Sequence, residues 1–510
     1  MNQHIHPADG YAIMFLLKGK RKVAVPAIMV VVCLSLTAIL VIPANVSAED
    51  PTLSGRIGDN LIWEVYGSSS TMVISGIGRM KDGPIALPMY TGVANVIVEE
   101  GVTSIGAEAF TYTAGPMVSA VSLPSTLERI EKGAFRGTNL QTVDIPAKVS
   151  FIHPEAFFKT TALRSINVHE DNEVYTTFEN VMFTKDMMEL TAYPASKAGR
   201  EYLIPDGVRS IGECAFNFAR MYEVKIPGSV DYISDWAFQN CDDMLSIFIP
   251  DSVVHMGYGS IAFCSKLTRI TIGAGLTTVT VDMMPVLLTS VKILHLGKSI
   301  SNVDKEIRRG LALQTITVDG NNQYFMSMNG VLYNKSATEI VLIPQTMTGK
   351  YVMPNSVRYV GSNVFQFSSV TSVVLSESLQ AIGSQAFYKN TSIGSIKIPG
   401  TVKTIGDRAF ADCTKLVAVY FEANVPPSIG SNAFATKNVK EPVLRVYSSM
   451  ESGFLDNYVG GNSVAYYDSE VSISELDEVT GNPAYIVAIA IAAMAGLVLA
   501  EIFVSRKQKQ

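Results

Sequence analysis

The apolar residues of this chain fall into one recurring phrase: isoleucine, three variable positions, alanine, phenylalanine. Eight copies end at Phe110, Phe135, Phe157, Phe216, Phe238, Phe387, Phe410 and Phe434, and uninterrupted copies space the phenylalanines 22 to 25 residues apart. That is the period of stacked β-rich coils, not of a compact enzyme domain. After each phenylalanine comes a short β-rich run closed by proline, at Leu123-Pro124, Ile145-Pro146, Ile204-Pro205, Ile226-Pro227, Ile249-Pro250, Met353-Pro354 and Ile398-Pro399. Within these runs apolar residues alternate, as in Val143-Asp144-Ile145 and Ile247-Phe248-Ile249, so one strand face looks inward and the other outward. Proline cannot donate to the next ladder bond and ends the strand. One coil is therefore predicted as strand, proline turn, re-entrant isoleucine and a core-filling Ala-Phe pair, with one continuous core along the stack.

Variant copies keep the register. Val360 to Phe365 adds Phe365 to the predicted core phenylalanines, and Met256 to Ile261 puts Ile261 where a phenylalanine would stand. Two gaps in the period, residues 166–205 and 316–354, resemble each other. In each, an Asn-rich turn and a tyrosine precede an expected β-hairpin inserted between rungs, Val181 to Pro194 and Val331 to Pro344. Residues 276–315, with Leu294-His295-Leu296-Gly297 replacing the proline-closed strand, are expected to continue the stack with weaker core filling.

The Ile-Gly-x-x-Ala-Phe copies, proline-closed strands and paired Asn, Tyr, Gly-Val-Leu-Tyr inserts resemble the BspA-type leucine-rich repeats of microbial surface proteins. Gly55, Gly58, Asn60, Leu61, Trp63 and the run Met72 to Gly78 look like the β-rich lead-in before such repeats. Val425-Pro426-Pro427 and Leu444-Arg445-Val446-Tyr447 look like the closing cap. The resemblance spans residues 54–467. It implies a β-rich leucine-rich-repeat solenoid of about 22–25 residues per coil (residues 101–467) behind a β-rich N-terminal lead-in (54–100). For function it implies a family often linked to adhesion and host or cell contact.

The chain ends change the picture. Lys18, Lys20, Arg21 and Lys22, an apolar run from Val23 to Ile42 and the small-residue end Val46-Ser47-Ala48 read as a secretory signal over residues 1–48. An uncleaved signal anchor is the other reading. Ala484 to Val504 is apolar apart from Glu501, and Arg506, Lys507 and Lys509 follow it. This predicts one C-terminal transmembrane helix (484–504) with a cytoplasmic tail (505–510), behind an acidic, Ser-rich stalk (468–483). Ala488, Ala492, Gly496 and Ala500 recur every four residues, a stripe through which two such helices could pair as a homodimer. Residues 49–483, placed outside the cell, carry 33 basic and 44 acidic side chains, a net charge of −11. Such a surface argues against nucleic-acid or anionic-lipid partners.

Candidate chemistry is sparse. Gly297-Lys298-Ser299 has the tail of a phosphate loop, but Lys292 stands where its first glycine belongs. Neither a Gly-x-Ser-x-Gly elbow nor a His-Glu-x-x-His motif is present, so the chain reads as a non-enzyme without cofactor. His153, His169, His255 and His295 fall in separate coils; His169-Glu170-Asp171 is a weak cation motif or a solvated turn, and no metal site is assigned. Cys241 and Cys264 share one column with Cys413, three residues after the phenylalanine position, either as a disulfide between rungs or as a ladder of buried thiols. Asn334 and Asn390 begin sequons in which glycosylation is chemically permitted. The main candidate surface is the outward column of the strands: Ser122, Asp144, Asn167, Lys225, Phe248, Thr271, His295, Thr317, Val374, Lys397 and Tyr420. It suits a protein or glycan ligand, and equally a plain solvated sheet.

Overall fold

The computed structural model describes residues 50–467 apart from 68, 86–91, 112–117, 285–289, 310, 437–443 and 461–462. The expected signal, stalk, membrane helix with its Ala488, Ala492, Gly496 and Ala500 stripe, and tail lie outside the described residues.

Each coil begins on a long strand. Thr142–Ile145, for example, pairs in parallel with Ser165–Val168 of the next coil. Proline then breaks the ladder, and its carbonyl accepts a hydrogen bond from the amide three residues on. Pro124 to Leu127, Pro146 to Val149, Pro227 to Val230 and Pro250 to Val253 all make this turn. The donor residues are at most 1% exposed. The proline thus both ends the strand and drives an aliphatic side chain into the core, a role the alternation pattern did not reveal.

The repeat isoleucine lies on a two-residue strand. These short strands stack in parallel ladders, Ser210–Ile211 on Tyr232–Ile233 on His255–Met256, and Tyr359–Val360 through to Ser428–Ile429. The glycine that often follows isoleucine is a packing requirement. A Cβ on Gly406 would stand 2.4 Å from the amide nitrogen of Ser384 in the preceding coil. The residue before alanine is left-handed in several copies, with φ between +53° and +58° at Glu108, Cys214, Trp236, Gln385 and Arg408. A second left-handed residue, two after the phenylalanine, recurs at Lys159, Phe218, Asn240, Phe367, Lys389 and Asp412. Such backbone costs roughly 1–2 kcal/mol at an L-residue. It is offset here by turning amides along the stacking axis: Phe365 donates to the Ala386 carbonyl at 2.6 Å and Lys389 to that of Ala411 at 2.9 Å.

Phe110, Phe135, Phe216, Phe238, Phe365, Phe387, Phe410 and Phe434 are all 3% exposed or less. Their rings form columns: Phe365, Phe387, Phe410 and Phe434 follow one another at 4.7, 4.8 and 5.0 Å with planes within 8° of parallel. Phe157 packs against the core at its expected position but is less enclosed than the others. It stacks on Phe135 at 5.7 Å and is half-buried.

Each insert contains the expected hairpin, and a further antiparallel strand before it makes a three-stranded meander. Tyr175–Phe178, Val181–Thr184 and Glu189–Ala192 form the first, and its last strand joins the short-strand ladder in parallel beside Ser210–Ile211. Phe325–Met328, Val331–Asn334 and Glu339–Leu342 repeat the arrangement, docking beside Tyr359–Val360. The turn before each meander is held by a fully buried asparagine. Asn172 Nδ2 donates to the Pro146 and Val149 carbonyls and its Oδ1 accepts from the Val174 and Tyr175 amides. Asn322 does the same with Gly297, Ile300, Tyr324 and Phe325.

The inserts also divide the interior, so the expected single core is three apolar clusters. In the first insert Met182 belongs to the first cluster, while its neighbours Val181 and Phe183 belong to the second. In the second insert Leu332 belongs to the second cluster, and Val331 and Tyr333 to the third. Period-two alternation on one strand therefore stitches adjacent clusters together. Residues 276–315 are not weakly filled: Leu294, Leu296, Ile300 and Leu313 are fully buried, with Met283, Met284 and Ile307 completing the core. At the N-terminal side, Leu53–Arg56, Leu61–Tyr66 and Thr71–Gly76 pair antiparallel, and the third lies parallel to Asn95–Val98. Near the C-terminal side, Leu444–Tyr447 and Val464–Tyr467 extend the long-strand sheet.

Candidate recognition surface

The outward positions of the long strands stand in register at the ~4.8 Å spacing of paired strands. Phe248 is opposite Thr271, Thr271 opposite His295, and His295 opposite Thr317. Asn167 is opposite Asp144 and Tyr420 opposite Lys397. Lys225 stands beside Leu203, Val374 beside Val352 and Ser122 beside Ile97. The ladder is interrupted at the inserts and also between Ala120–Ser122 and Thr142–Ile145, between Glu223–Lys225 and Ser246–Ile249, and between Ser369–Val374 and Ser395–Ile398, so the structure brings these residues together as separate short columns. Leu203 (66% exposed), Val352 (44%) and Tyr447 belong to the same surface and were missed, because two lie in strands entered from an insert and the third in the cap.

Many of the polar residues satisfy one another. Asn167 Nδ2 donates to Asp144 Oδ1 at 2.7 Å, and His295 Nδ1 and Thr317 Oγ1 share a hydrogen bond of 2.9 Å. Lys225 pairs with Glu201 at 3.3 Å, and Lys397 pairs with Glu422. The Tyr420 and Tyr447 rings stack at 4.5 Å. Phe248, half exposed at 52%, projects from the same face. Beside the first insert the sheet edge opens into a groove of about 420 Å³ whose lining includes Leu123, Asp144, Pro146, Asn167 and His169.

A second outward face, along the short strands, escaped sequence reading altogether. Tyr232 stacks on His255 at 4.4 Å, Trp236 meets Tyr258 edge-on at 5.0 Å, and the Arg129 guanidinium sits 4.1 Å from the Phe151 ring centre. Part of its signal was available: Tyr232, Arg129 and Phe151 each precede a repeat isoleucine, and His255 holds the same position before Met256.

The remaining candidates resolve into local structure. Cys214, Cys241, Cys264 and Cys413 are buried free thiols, not a disulfide. The Cys241, Cys264 and Cys413 thiols donate to the carbonyls of Phe216, Phe238 and Phe387 at 3.0 to 3.1 Å. Burial, with Cys264 nearby, pushes the Cys241 thiol well up, and burial pushes Cys413 up to about 12. Thr138 and Thr160 sit in the same column and both donate to the Phe135 carbonyl. Asn390 sits there too, and this overturns its sequon. It is fully buried, donates to Ser368 Oγ and accepts from the Ser392 and Ile393 amides, so no glycan reaches it in the folded chain. Asn334 is half-buried and its amide caps the meander turn through Thr338 and Glu339. His169 Nδ1 accepts from the Asp171 amide at 3.2 Å, the geometry of a turn. Among the described residues no group of three or more His, Cys, Asp or Glu is placed to hold a metal. Gly297 closes a coil turn through a bond from Ile300, and its would-be Cβ stands 2.2 Å from the Gly273 carbonyl oxygen, leaving no phosphate cradle.

Parallel coils, proline turns and stacked core phenylalanines define a leucine-rich-repeat solenoid. The model of the BspA type leucine rich repeat region matches residues 89–198, 192–314 and 345–452, and the chain belongs to that family. Solved structures similar to it include a leucine-rich repeat protein from Bacteroides ovatus, at 19% identity and TM-score 0.38, covering 81% of this chain and 100% of that one. A leucine rich cell surface protein from Faecalibacterium prausnitzii is 18% identical with TM-score 0.36, covering 84% and 97%. A leucine-rich repeat protein from Eubacterium ventriosum is 17% identical with TM-score 0.37, covering 76% and 96%. No curated protein matches the chain in sequence.

Proposed function

We propose that the chain is a membrane-anchored cell-surface recognition or adhesion protein whose repeat ectodomain presents the long-strand face to a protein or glycan ligand. The family membership supports a repeat-based interaction role. The observation that carries the reading is the register of the outward column, which sets Phe248, Thr271, His295 and Thr317 side by side on adjoining strands. Such a surface binds by adding modest contacts around a few aromatic anchors. Anchoring rests on the sequence of residues 484–504; among the described residues no helix is long and apolar enough to cross a membrane.

The second reading, a structural envelope component without a specific ligand, is favoured by the mutual satisfaction of Asp144 with Asn167 and of Lys397 with Glu422. Binding of the purified full chain to host cells, matrix proteins and glycans separates the two. Saturable binding that Phe248→Ala and Tyr420→Ala weaken, with the melting temperature unchanged, supports recognition. Its absence across the panel leaves the scaffold. Protease added to intact cells should remove residues 49–483 and leave a small basic-tailed fragment; protected repeats would reverse the topology. Pairing through the Gly496 stripe should be abolished by Gly496→Ile in a membrane two-hybrid measurement.

A further inference from the structure

On a third face, formed by the left-handed turns, three successive coils place Phe367, Lys389 and Asp412 in one column at φ +59°, +56° and +57°. With Tyr388 and Arg408 they surround an open pocket of about 570 Å³, whose lining Thr391 and Thr414 complete. The Lys389 ammonium is 5.7 Å from the Phe367 ring centre and 5.3 Å from that of Tyr388, while the Arg408 guanidinium carbon lies 4.5 Å over the Tyr388 ring. Phe367 and Tyr388 meet edge-on at 6.0 Å. Arg408 also lies 4.0 Å from Asp412. Two cations and one carboxylate therefore share a walled pocket on a chain whose exterior is otherwise acidic.

The equivalent turns of an early coil sharpen the contrast. There Arg136 lies 4.8 Å from the Phe158 ring centre and 3.5 Å from Glu108. The later pocket keeps the cation–aromatic motif and sets two cations, Lys389 and Arg408, against one ring, that of Tyr388.

We propose that this pocket binds a carboxylate-bearing sugar, the acidic residue of an oligosaccharide. The guanidinium fork takes a carboxylate in two parallel hydrogen bonds, and the ammonium adds a second charge-assisted contact. The Phe367 and Tyr388 rings offer apolar surface to the C–H face of a sugar ring. The threonine hydroxyls donate to and accept from ring hydroxyls, whereas the Asp412 carboxylate only accepts, and it disfavours a ligand with a second negative charge nearby. The pocket lies within the roughly 300–1,000 Å³ of small-ligand sites. The proposal is independent of the long-strand surface, and each can fail without the other.

The test titrates the purified full chain, by calorimetry, with sialyllactose and trigalacturonic acid. Lactose, fully methyl-esterified trigalacturonate and triglutamate are the comparisons. At least one acidic sugar should bind at least about tenfold more tightly than its neutral counterpart and lose affinity as salt is raised. Lys389→Gln and Arg408→Gln should each weaken that binding about tenfold, the share of one charge-assisted contact, while Phe248→Ala leaves it unchanged. Equal affinity for acid and ester, binding to neither acidic sugar, tighter binding of triglutamate, or unaltered affinity in both variants would each overturn the proposal. Should Arg408→Gln fail to fold, Lys389→Gln and the acid-against-ester comparison on the unaltered chain decide.

Discussion

Two stretches of the same solenoid solve one packing problem differently. From Phe365 to Phe434 the core position is a column of four near-parallel rings. From Ile261 to Leu313 it is aliphatic, filled by Ile261, Met283, Met284 and Ile307 along coils whose long strands remain fully paired. What the coil requires is apolar volume at a fixed register, and the ring is one way of supplying it. The comparison also explains why the two stretches looked so different as sequence. The Phe columns announce themselves, whereas the aliphatic coils hide inside a generally apolar background.

The largest effect that separates the two solutions is expected at Phe387. Phe387→Ala should cost about 3–5 kcal/mol by chemical denaturation, the usual loss from emptying a packed aromatic site. Phe387→Leu should cost clearly less, because the central coils show that an aliphatic side chain supports the register. In the opposite direction, Ile261→Phe should destabilise by about 1–3 kcal/mol through overpacking, since the neighbours of Ile261 are arranged for a smaller group. If Phe387→Leu proves as damaging as Phe387→Ala, ring stacking and not volume holds the C-terminal coils together.

The two inserts are a matched pair, and Asn172 and Asn322 make that match physical. Asn322→Ala would take a partner from each of four groups, the Ile300 and Gly297 carbonyls and the Tyr324 and Phe325 amides, in a site with no exposure, leaving Gly297 only the longer bond from the Ile300 amide. We expect a loss of about 2–4 kcal/mol, several unsatisfied groups partly relieved by entering water. Amide exchange should accelerate first in residues 322–334. Asn172→Ala should do the same in residues 172–184, and unequal effects would show that the inserts carry different loads.

The thiol column gives a pH signature. Burial raises the Cys413 thiol from 9.0 to about 12 in the folded chain. Its contribution to stability is complete below pH 9, where the unfolded thiol is still protonated, and is lost as pH rises from 9 through about 12. Urea midpoints should fall between pH 8 and pH 11, and Cys413→Ala should fall less steeply than the parent. Identical slopes would mean that Cys413 is reached by water in the folded chain.

Most of the fold was legible because a β-coil writes its register in a short phrase. Pro146, Ile152 and Phe135 each mark a turn, a short strand or a core site by residue type alone. What stayed hidden depends on contacts between coils. Val149 looks like any valine until the Pro146 carbonyl accepts its amide, and Asn390 looks like a glycosylation acceptor until Ser368 and two backbone amides surround it. The pocket at Tyr388 and Arg408 was invisible for the same reason, since its members come from variable positions of neighbouring coils and left-handed turns aim them at one another. The long-strand column was half legible: alternation identified Asp144 and Phe248 as outward, but only pairing shows that Asp144 holds Asn167.

The smallest expected effect lies at Phe248 and tests the division between core and surface directly. Its ring is 52% exposed, whereas Ile247 and Ile249 on either side are 2% and 0%. Phe248→Ala removes little buried apolar area and should change stability by no more than about 0.5 kcal/mol, as for surface sites generally. Ile249→Ala, one position away, should cost about 2–5 kcal/mol. That contrast between adjacent residues is the alternation of a strand expressed as energy. A large loss at Phe248 would mean that the ring packs against a neighbouring column, and the long-strand face would then be part of the fold and not a surface available to a ligand.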